Sequence, residues 1–278
     1  MNDRQLLEQH SIAPKKSLGQ NFLHDPHTLD KIVASADLTP DTTVLEIGPG
    51  TGNLTAVLAD HAARVIAVEL DDRLVPILRQ RFAQQAPVEI VHGDILEIDL
   101  GDRLGTMAQP KPYTVVANVP YYITSAIMRH VFEKLPRPQR MVLTMQREVA
   151  ERLIAEPGDM SLLAVSVQFY GQPQIVMRLS PAVFWPRPDV DSAVVRIDVY
   201  DTPPVDVPNE ALFFRVVRAG FSQKRKQLRN AISNGLHVAK TQAGDLLTQA
   251  GIDPQRRAET LTLAEWAALA RVVNDSPT

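Results

Sequence analysis

The feature that most constrains this chain is a regular exchange of two hydrophobic periodicities between residues 42 and 154. TTVLEIGPGTG, ARVIAVELD, VEIVHGDIL, YTVVANVP and the start of RMVLTMQREVAERLI are short apolar runs of strand type. Between and after them, DRLVPILRQRFA, SAIMRHVFEKL and the end of the last run space their apolar residues three and four apart, as helices do. Strands that alternate with helices in this way form a parallel, doubly wound sheet, so the fold class predicted is α/β with a Rossmann-like sheet. PHTLDKIVASADL reads as a helix ahead of it, and SLLAVSVQFYGQPQIVMRLSP and SAVVRIDVY read as later strands that complete it. DTPPVDVP, three prolines in eight residues, reads as a linker. Beyond it, NEALFFRVVRAGF, KQLRNAISNGL, TQAGDLLTQAG and TLAEWAALARVV predict a smaller all-α domain. The expected division is 1–202 and 203–278.

Composition enters mainly through what it excludes. The chain has no cysteine, which removes disulfides, thiolate metal sites, cysteine nucleophiles and the cysteine-based zinc deaminases that also act on nucleobases. No metal site is expected. The sequence holds no membrane-length apolar run and its first residues lack the apolar stretch of a secretory signal, so the expectation is a cytoplasmic protein without a membrane partner. The net charge of −3 is unlike that of a nucleic-acid binder. Yet Ala211 to Lys240 carries Arg215, Arg218, Lys224, Arg225, Lys226, Arg229 and Lys240 with no acid among them, and a local basic face is the footprint that matters.

In Leu45-Glu46-Ile47-Gly48-Pro49-Gly50-Thr51-Gly52-Asn53, glycines at the end of the first strand let backbone approach a ligand where a side chain would clash. Their alternate spacing, broken by a proline, differs from the G-x-G-x-x-G of dinucleotide folds and favours a ligand without a pyrophosphate. Glu69 ends the next strand, where a carboxylate can accept from a ribose diol. Asp94 follows the third strand, where it can accept from an adenine amine. Leu70 and Ile95, beside the two acids, complete the predicted donor-binding set. Together these features describe an adenosine-containing ligand.

Asn118-Val119-Pro120-Tyr121 ends the fourth strand next to that ligand. The amide oxygen of Asn118 and the carbonyl of Val119 can each accept from an exocyclic amine, and Tyr121 can stack on a flat ring. Positioning can suffice when the leaving group is already activated, so no general base is expected.

The pattern E-x-G-x-G-x-G followed by the two acids resembles class I methyltransferases that bind S-adenosylmethionine. Asn118–Tyr121 resembles the amino-methyltransferase signature Asn/Asp/Ser-Pro-Pro-Tyr/Phe/Trp with Val119 at its second position. Lys16-Ser17-Leu18-Gly19-Gln20-Asn21-Phe22-Leu23, Val183–Ser192 and Phe221–Asn230 are similar to segments of the small-subunit rRNA adenine dimethyltransferases, the kasugamycin-resistance methyltransferase A family, and the likeness runs from about Lys16 to Leu269. The resemblance implies that Asn21 and Leu23 contact the donor together with Gly48, Glu69, Asp94 and Asn118, and Gly50 of the same loop is counted with them as donor-binding. It also implies dimethylation of N6 on two adjacent adenosines in the 3′-terminal hairpin of 16S rRNA, within an immature 30S subunit, by a monomer. A 23S rRNA methyltransferase of the macrolide-resistance type and a non-enzymatic assembly factor are the competing readings.

Some residues carry two readings. Lys16 can meet phosphate or be a solvated loop charge. Phe184 can stack a flipped adenine as part of the catalytic set, or pack around a bend. Lys224, Arg225 and Arg229 can hold phosphate or form a solvated face.

Overall fold

The alternating segments fold into a mainly parallel sheet because their strands are apolar on both sides and are covered on both faces. The computed structural model describes residues 3–223 and 225–276. It divides into two compact units, Met1–Ala150 with Gln172–Val199 and Glu151–Gly171 with Tyr200–Thr278.

In the first unit α1 (Asp3–Gln9), β1 (Phe22–Leu23) and α2 (Pro26–Ser35) precede the sheet. Then come β2 (Thr43–Ile47), α3 (Asn53–Ala59), β3 (Arg64–Glu69), α4 (Val75–Arg81), β4 (Val88–His92), α5 (Gly101–Leu104), β5 (Thr114–Asn118), α6 (Thr124–Glu133) and β6 (Arg140–Gln146). After α7 (Arg147–Leu153) and α8 (Leu162–Tyr170), the chain adds β7 (Gly171–Leu179), β8 (Phe184–Trp185) and β9 (Ser192–Val199). The strand order is β4-β3-β2-β5-β6-β9-β7. β2 runs parallel to β3 and β5, as β3 does to β4 and β5 to β6, while β9 is antiparallel to β6. The order reverses at β2, and the crevice at the carboxyl ends of β2 and β5 is where such sheets bind ligands.

Asp25 caps α2 by accepting from the Thr28 amide, with Pro26 as its first residue. That fixes the helix so that Leu29, Ile32 and Val33 pack with Leu54 and Leu58 of α3 over Val44, Val65, Val116, Val142 and Val194 of the sheet. Full burial of each such side chain stabilises the fold by about 1.5–3 kcal/mol, so this face alone can outweigh a costly group at the strand ends.

Two expectations are corrected. SLLAVSVQFY is not a strand: it forms α8, capped by Ser161, whose side chain accepts from the Ala164 amide. A short run apolar at almost every position carries no periodicity, and the cap decides it. The cut near residue 202 also moves. Glu151–Gly171 belongs to the second unit, because Phe169 of α8 stacks on Phe213 at 4.6 Å between ring centroids and Tyr170 on Phe214 at 5.6 Å.

The second unit is otherwise helical, with α9 (Glu210–Phe221), α10 (Leu228–Leu236), α11 (Lys240–Gln249) and α12 (Leu263–Asp275). Trp266 of α12 is fully buried and lies where a Cβ on Gly220 would come within 2.3 Å of its ring, so only glycine lets α9 approach it. Thr262 and Glu265 form a reciprocal capping box at the start of α12.

Candidate active site

The strand ends build a cleft of about 970 Å³, counting space open to solvent. Asn21, Leu23, Gly48, Gly50, Glu69, Leu70, Asp94, Ile95, Asn118, Val119, Pro120 and Tyr121 all line it. Residues spread over some hundred positions of sequence thus converge on one cavity.

On the donor side, Gly48, Gly50 and Gly52 have φ of +69°, +61° and +85°, a left-handed region costly for other residues. The three differ in what surrounds them. A Cβ on Gly50 would meet Phe22 at 2.8 Å and one on Gly52 would meet Phe82 at 2.8 Å, whereas one on Gly48 meets nothing within 4 Å. Gly50 and Gly52 therefore serve packing, and Gly48 keeps open the space of the cleft. The Gly50 amide donates to Glu69 Oε2 at 3.0 Å and the Asp71 amide to Oε1 at 2.8 Å. Glu69 is 5 % exposed; burial raises its pKa, and these backbone donors oppose the shift. Each oxygen retains a lone pair for a ligand hydroxyl. Asp94 Oδ1 accepts from the Leu96 amide at 2.9 Å, which orients its carboxylate at the end of β4. Leu70 is an exposed apolar side chain beside Glu69, and Ile95 is buried next to Asp94.

Glu46 was not among the expected site residues, although it heads the glycine motif. It is 1 % exposed, lines the cleft, and its Oε2 has no hydrogen-bond partner among the described residues. Burial pushes its pKa up to about 8; the Thr55 hydroxyl opposes the shift and the nearby Glu69 adds to it. An unmatched buried acceptor of this kind is costly unless a ligand donor meets it. This orphaned oxygen and the open space at Gly48 fit a cationic, adenosine-bearing donor.

On the acceptor side, Asn118 Nδ2 donates to the carbonyl of Asn21 at 2.9 Å, so its Oδ1 is the end of the amide left to accept. The Val119 amide donates to Thr144 O at 3.2 Å, extending the β5–β6 ladder one residue into the motif. Pro120 O receives the Ile123 amide, which turns the chain into the Tyr121–Ile123 3-10 turn. Tyr121 lies half-buried in the cleft wall with its hydroxyl 2.6 Å from Ser192 Oγ. Its pKa is raised by burial, so it is a neutral aromatic. Tyr122, absent from the expected set, is 59 % exposed at the cleft; the double tyrosine was the available signal.

Phe184 is a correction. It pairs with Leu23 across the β1–β8 ladder, is 3 % exposed and belongs to the core under α2, so it offers no face to a base. The packing alternative wins because the side chain is enclosed in the core cluster under α2. Asn53, also unforeseen, secures that ladder by donating to Leu23 O at 3.2 Å.

Arg225 and Arg229 are exposed, as are Arg215, Arg218, Lys226 and Lys240, and none of these six forms an ion pair among the described residues. Lys224 lies outside the described residues. Lys16 begins a short 3-10 turn, but its side chain is likewise outside them. Among the described residues no cluster of three or more His, Asp or Glu could hold a metal, and no helix is long and apolar enough to cross a membrane.

A sheet of this order with an antiparallel strand beside β6, and a glycine loop followed by acids at the ends of the next two strands, defines a class I methyltransferase. The chain belongs to the ribosomal RNA adenine dimethylase family, whose model matches residues 12–275. It is accordingly an S-adenosylmethionine-dependent rRNA adenine dimethylase. Ribosomal RNA small subunit methyltransferase A of Dehalococcoides mccartyi is 44 % identical over 274 residues, covering 99 % of this chain and 93 % of the relative. A dimethyladenosine transferase from Plasmodium falciparum superposes with a TM-score of 0.76 at 26 % identity, over 91 % of this chain and 97 % of that one. The 23S rRNA methyltransferase ErmE gives 0.69 at 28 % identity, over 92 % and 100 %.

Proposed function

We propose that this enzyme dimethylates N6 of two adjacent adenosines in the 3′-terminal hairpin of 16S rRNA, on an immature 30S subunit, acting as a monomer in the cytoplasm. The observation that carries this reading is the near full-length likeness to a small-subunit methyltransferase at 44 % identity, against 28 % for the 23S enzyme.

In this reading Glu69 accepts from the donor's ribose diol through the lone pairs its two backbone donors leave free. Asp94 takes the adenine amine, with Leu70 and Ile95 against the ring, while Asn21 and Leu23 form the wall from the N-terminal side. S-adenosylmethionine supplies, when bound, an electrophilic methyl group. Asn118 Oδ1 and the Val119 carbonyl accept the two hydrogens of the target amine and hold its lone pair toward that methyl. Tyr121 stacks on the target ring, and Pro120 fixes the turn that aims it. This reading assigns no general base, and the amine proton passes to solvent after transfer. The unit built from Glu151–Gly171 and Tyr200 onward binds RNA through Lys224, Arg225 and Arg229, and Lys16 of the first unit makes a phosphate contact of its own.

The test is methylation of purified small subunits from cells lacking the activity. N6,N6-dimethyladenosine at two neighbouring positions of 16S rRNA is the expected product. Modification of 23S rRNA instead would assign the enzyme to the other ribosomal subunit, and absence of donor binding by calorimetry would favour a non-enzymatic factor.

A further inference from the structure

The side chain of Asp71 takes no part in the motifs above, yet it is the most heavily hydrogen-bonded group near the cleft. It is 1 % exposed and receives Lys15 Nζ at 3.3 Å, Gln20 Nε2 at 2.9 Å, Arg73 Nε at 2.9 Å and Arg73 Nη2 at 2.6 Å. Arg73, ahead of the other donors, holds this carboxyl well below the usual carboxylate range. A buried charge is stable only when its hydrogen bonds are matched, and here two of the donors come from a segment about fifty residues upstream. That segment is tied to itself and to Arg73: the Lys15 amide donates to Gln20 Oε1 at 2.7 Å, and Arg73 Nη1 donates to Ala13 O at 3.2 Å. Gln20 thus uses both ends of its amide, the oxygen toward Lys15 and the nitrogen toward Asp71.

The next residue in the chain is Asn21, whose carbonyl receives Asn118 Nδ2. A primary amide is nearly symmetric in shape, so only its hydrogen bonds decide which end points where. Without the Asn21 carbonyl in place, Asn118 could present its NH2 to an incoming amine, setting donor against donor.

We propose that Asp71 is a positioning residue for the acceptor: through Gln20 it fixes the carbonyl of Asn21, which turns Asn118 so that Oδ1 meets the target amine. This rests on the assignment of Asn118 as the amine acceptor. Most of the donor wall is untouched by this device, because Phe22 and Leu23 are held independently by pairing with Trp185 and Phe184 and by Asn53, and Asn21 takes part in it through its carbonyl.

The test uses Gln20→Leu, which cuts the link and keeps the Asp71–Arg73 pair, with Asp71→Ala as the stronger lesion. For Gln20→Leu the single-turnover methylation rate on small subunits should fall about ten- to a hundred-fold while donor Kd changes less than about three-fold. In the free protein, the Asn118 side-chain amide, followed by 15N NMR, should lose its hydrogen-bonded shift and slow exchange. In an Asn118→Ala background, Gln20→Leu should add almost nothing, since its effect passes through Asn118. An unchanged Asn118 amide signal in both variants, or an equal rate loss in the Asn118→Ala background, overturns the proposal. The NMR arm needs no RNA, so a wrong assignment of the RNA substrate shows separately, as wild-type protein that leaves 16S rRNA unmodified.

Discussion

The two halves of the cleft are built by different means. The donor half is made of strand ends and the turns that follow them: the bond that seats Glu69 on Gly50 spans 19 residues and the one to Asp71 only 2. In the acceptor half, Asn118 is oriented by a residue 97 positions away and Tyr121 by one 71 away. The glycine loop and the seat of Glu69 are a local property of the β2–α3 and β3–α4 connections, whereas the acceptor half exists only once distant segments have met. Sites of the first kind can tolerate repacking elsewhere, and sites of the second kind report on it.

The largest effect expected is at the acceptor. Asn118→Ala should lower the single-turnover rate by about 10²–10³-fold, the scale for removing one preorganised hydrogen-bonding group, and donor affinity, read by calorimetry, far less. A parallel loss of affinity would erase the distinction between the halves.

Next in size is a stability effect in the donor half. The Glu46 pKa is raised from 4.5 to about 8, so folding favours its neutral form; stability is full below pH 4.5 and is lost as pH rises toward 8. Glu46→Gln removes this titration. Its Tm should match wild type near pH 5 and exceed it by a growing margin as pH rises to 8. A pH-independent difference would mean that Glu46 finds a partner.

Glu69→Ala should weaken donor binding by about 1–3 kcal/mol, the scale for hydrogen bonds to a charged group, and leave the rate at saturating donor little altered. A rate loss at saturation would couple the two halves. Smallest is Gly48→Ala. Its cost to folding should be about 1–2 kcal/mol from the left-handed backbone, read by urea titration. Because its Cβ meets no protein atom, donor affinity should suffer as well, and unchanged affinity would place the ligand elsewhere in the cleft.

This contrast explains what the sequence made legible. Gly48–Gly52, Glu69 and Asp94 announce themselves because each sits at a strand end whose position follows from periodicity. Gln20 and Asp71 carry no such mark: an amide in one loop and an acid two residues past Glu69 acquire a role only through a contact across 51 residues. Phe184 failed as a stacking residue because its partner Leu23 lies far upstream, and proximity in sequence to a bend says nothing about which face is buried. Leu162–Tyr170 was misread for the opposite reason. Its nearly unbroken apolar run suits a strand or a helix, and Ser161 together with the aromatic cluster around Phe213 decides it.

The unpaired arginines of the C-terminal helices have a consequence for how RNA finds the enzyme. Residues 211–240 carry +7 while the whole chain carries −3, which leaves −10 on the remainder. Phosphate is therefore drawn to one stretch and repelled by most of the rest, so misoriented encounters separate quickly and the productive one is selected during approach. At low ionic strength this sorting is strongest. At 0.15 M salt its reach contracts to about 8 Å, and recognition falls to the contacts themselves.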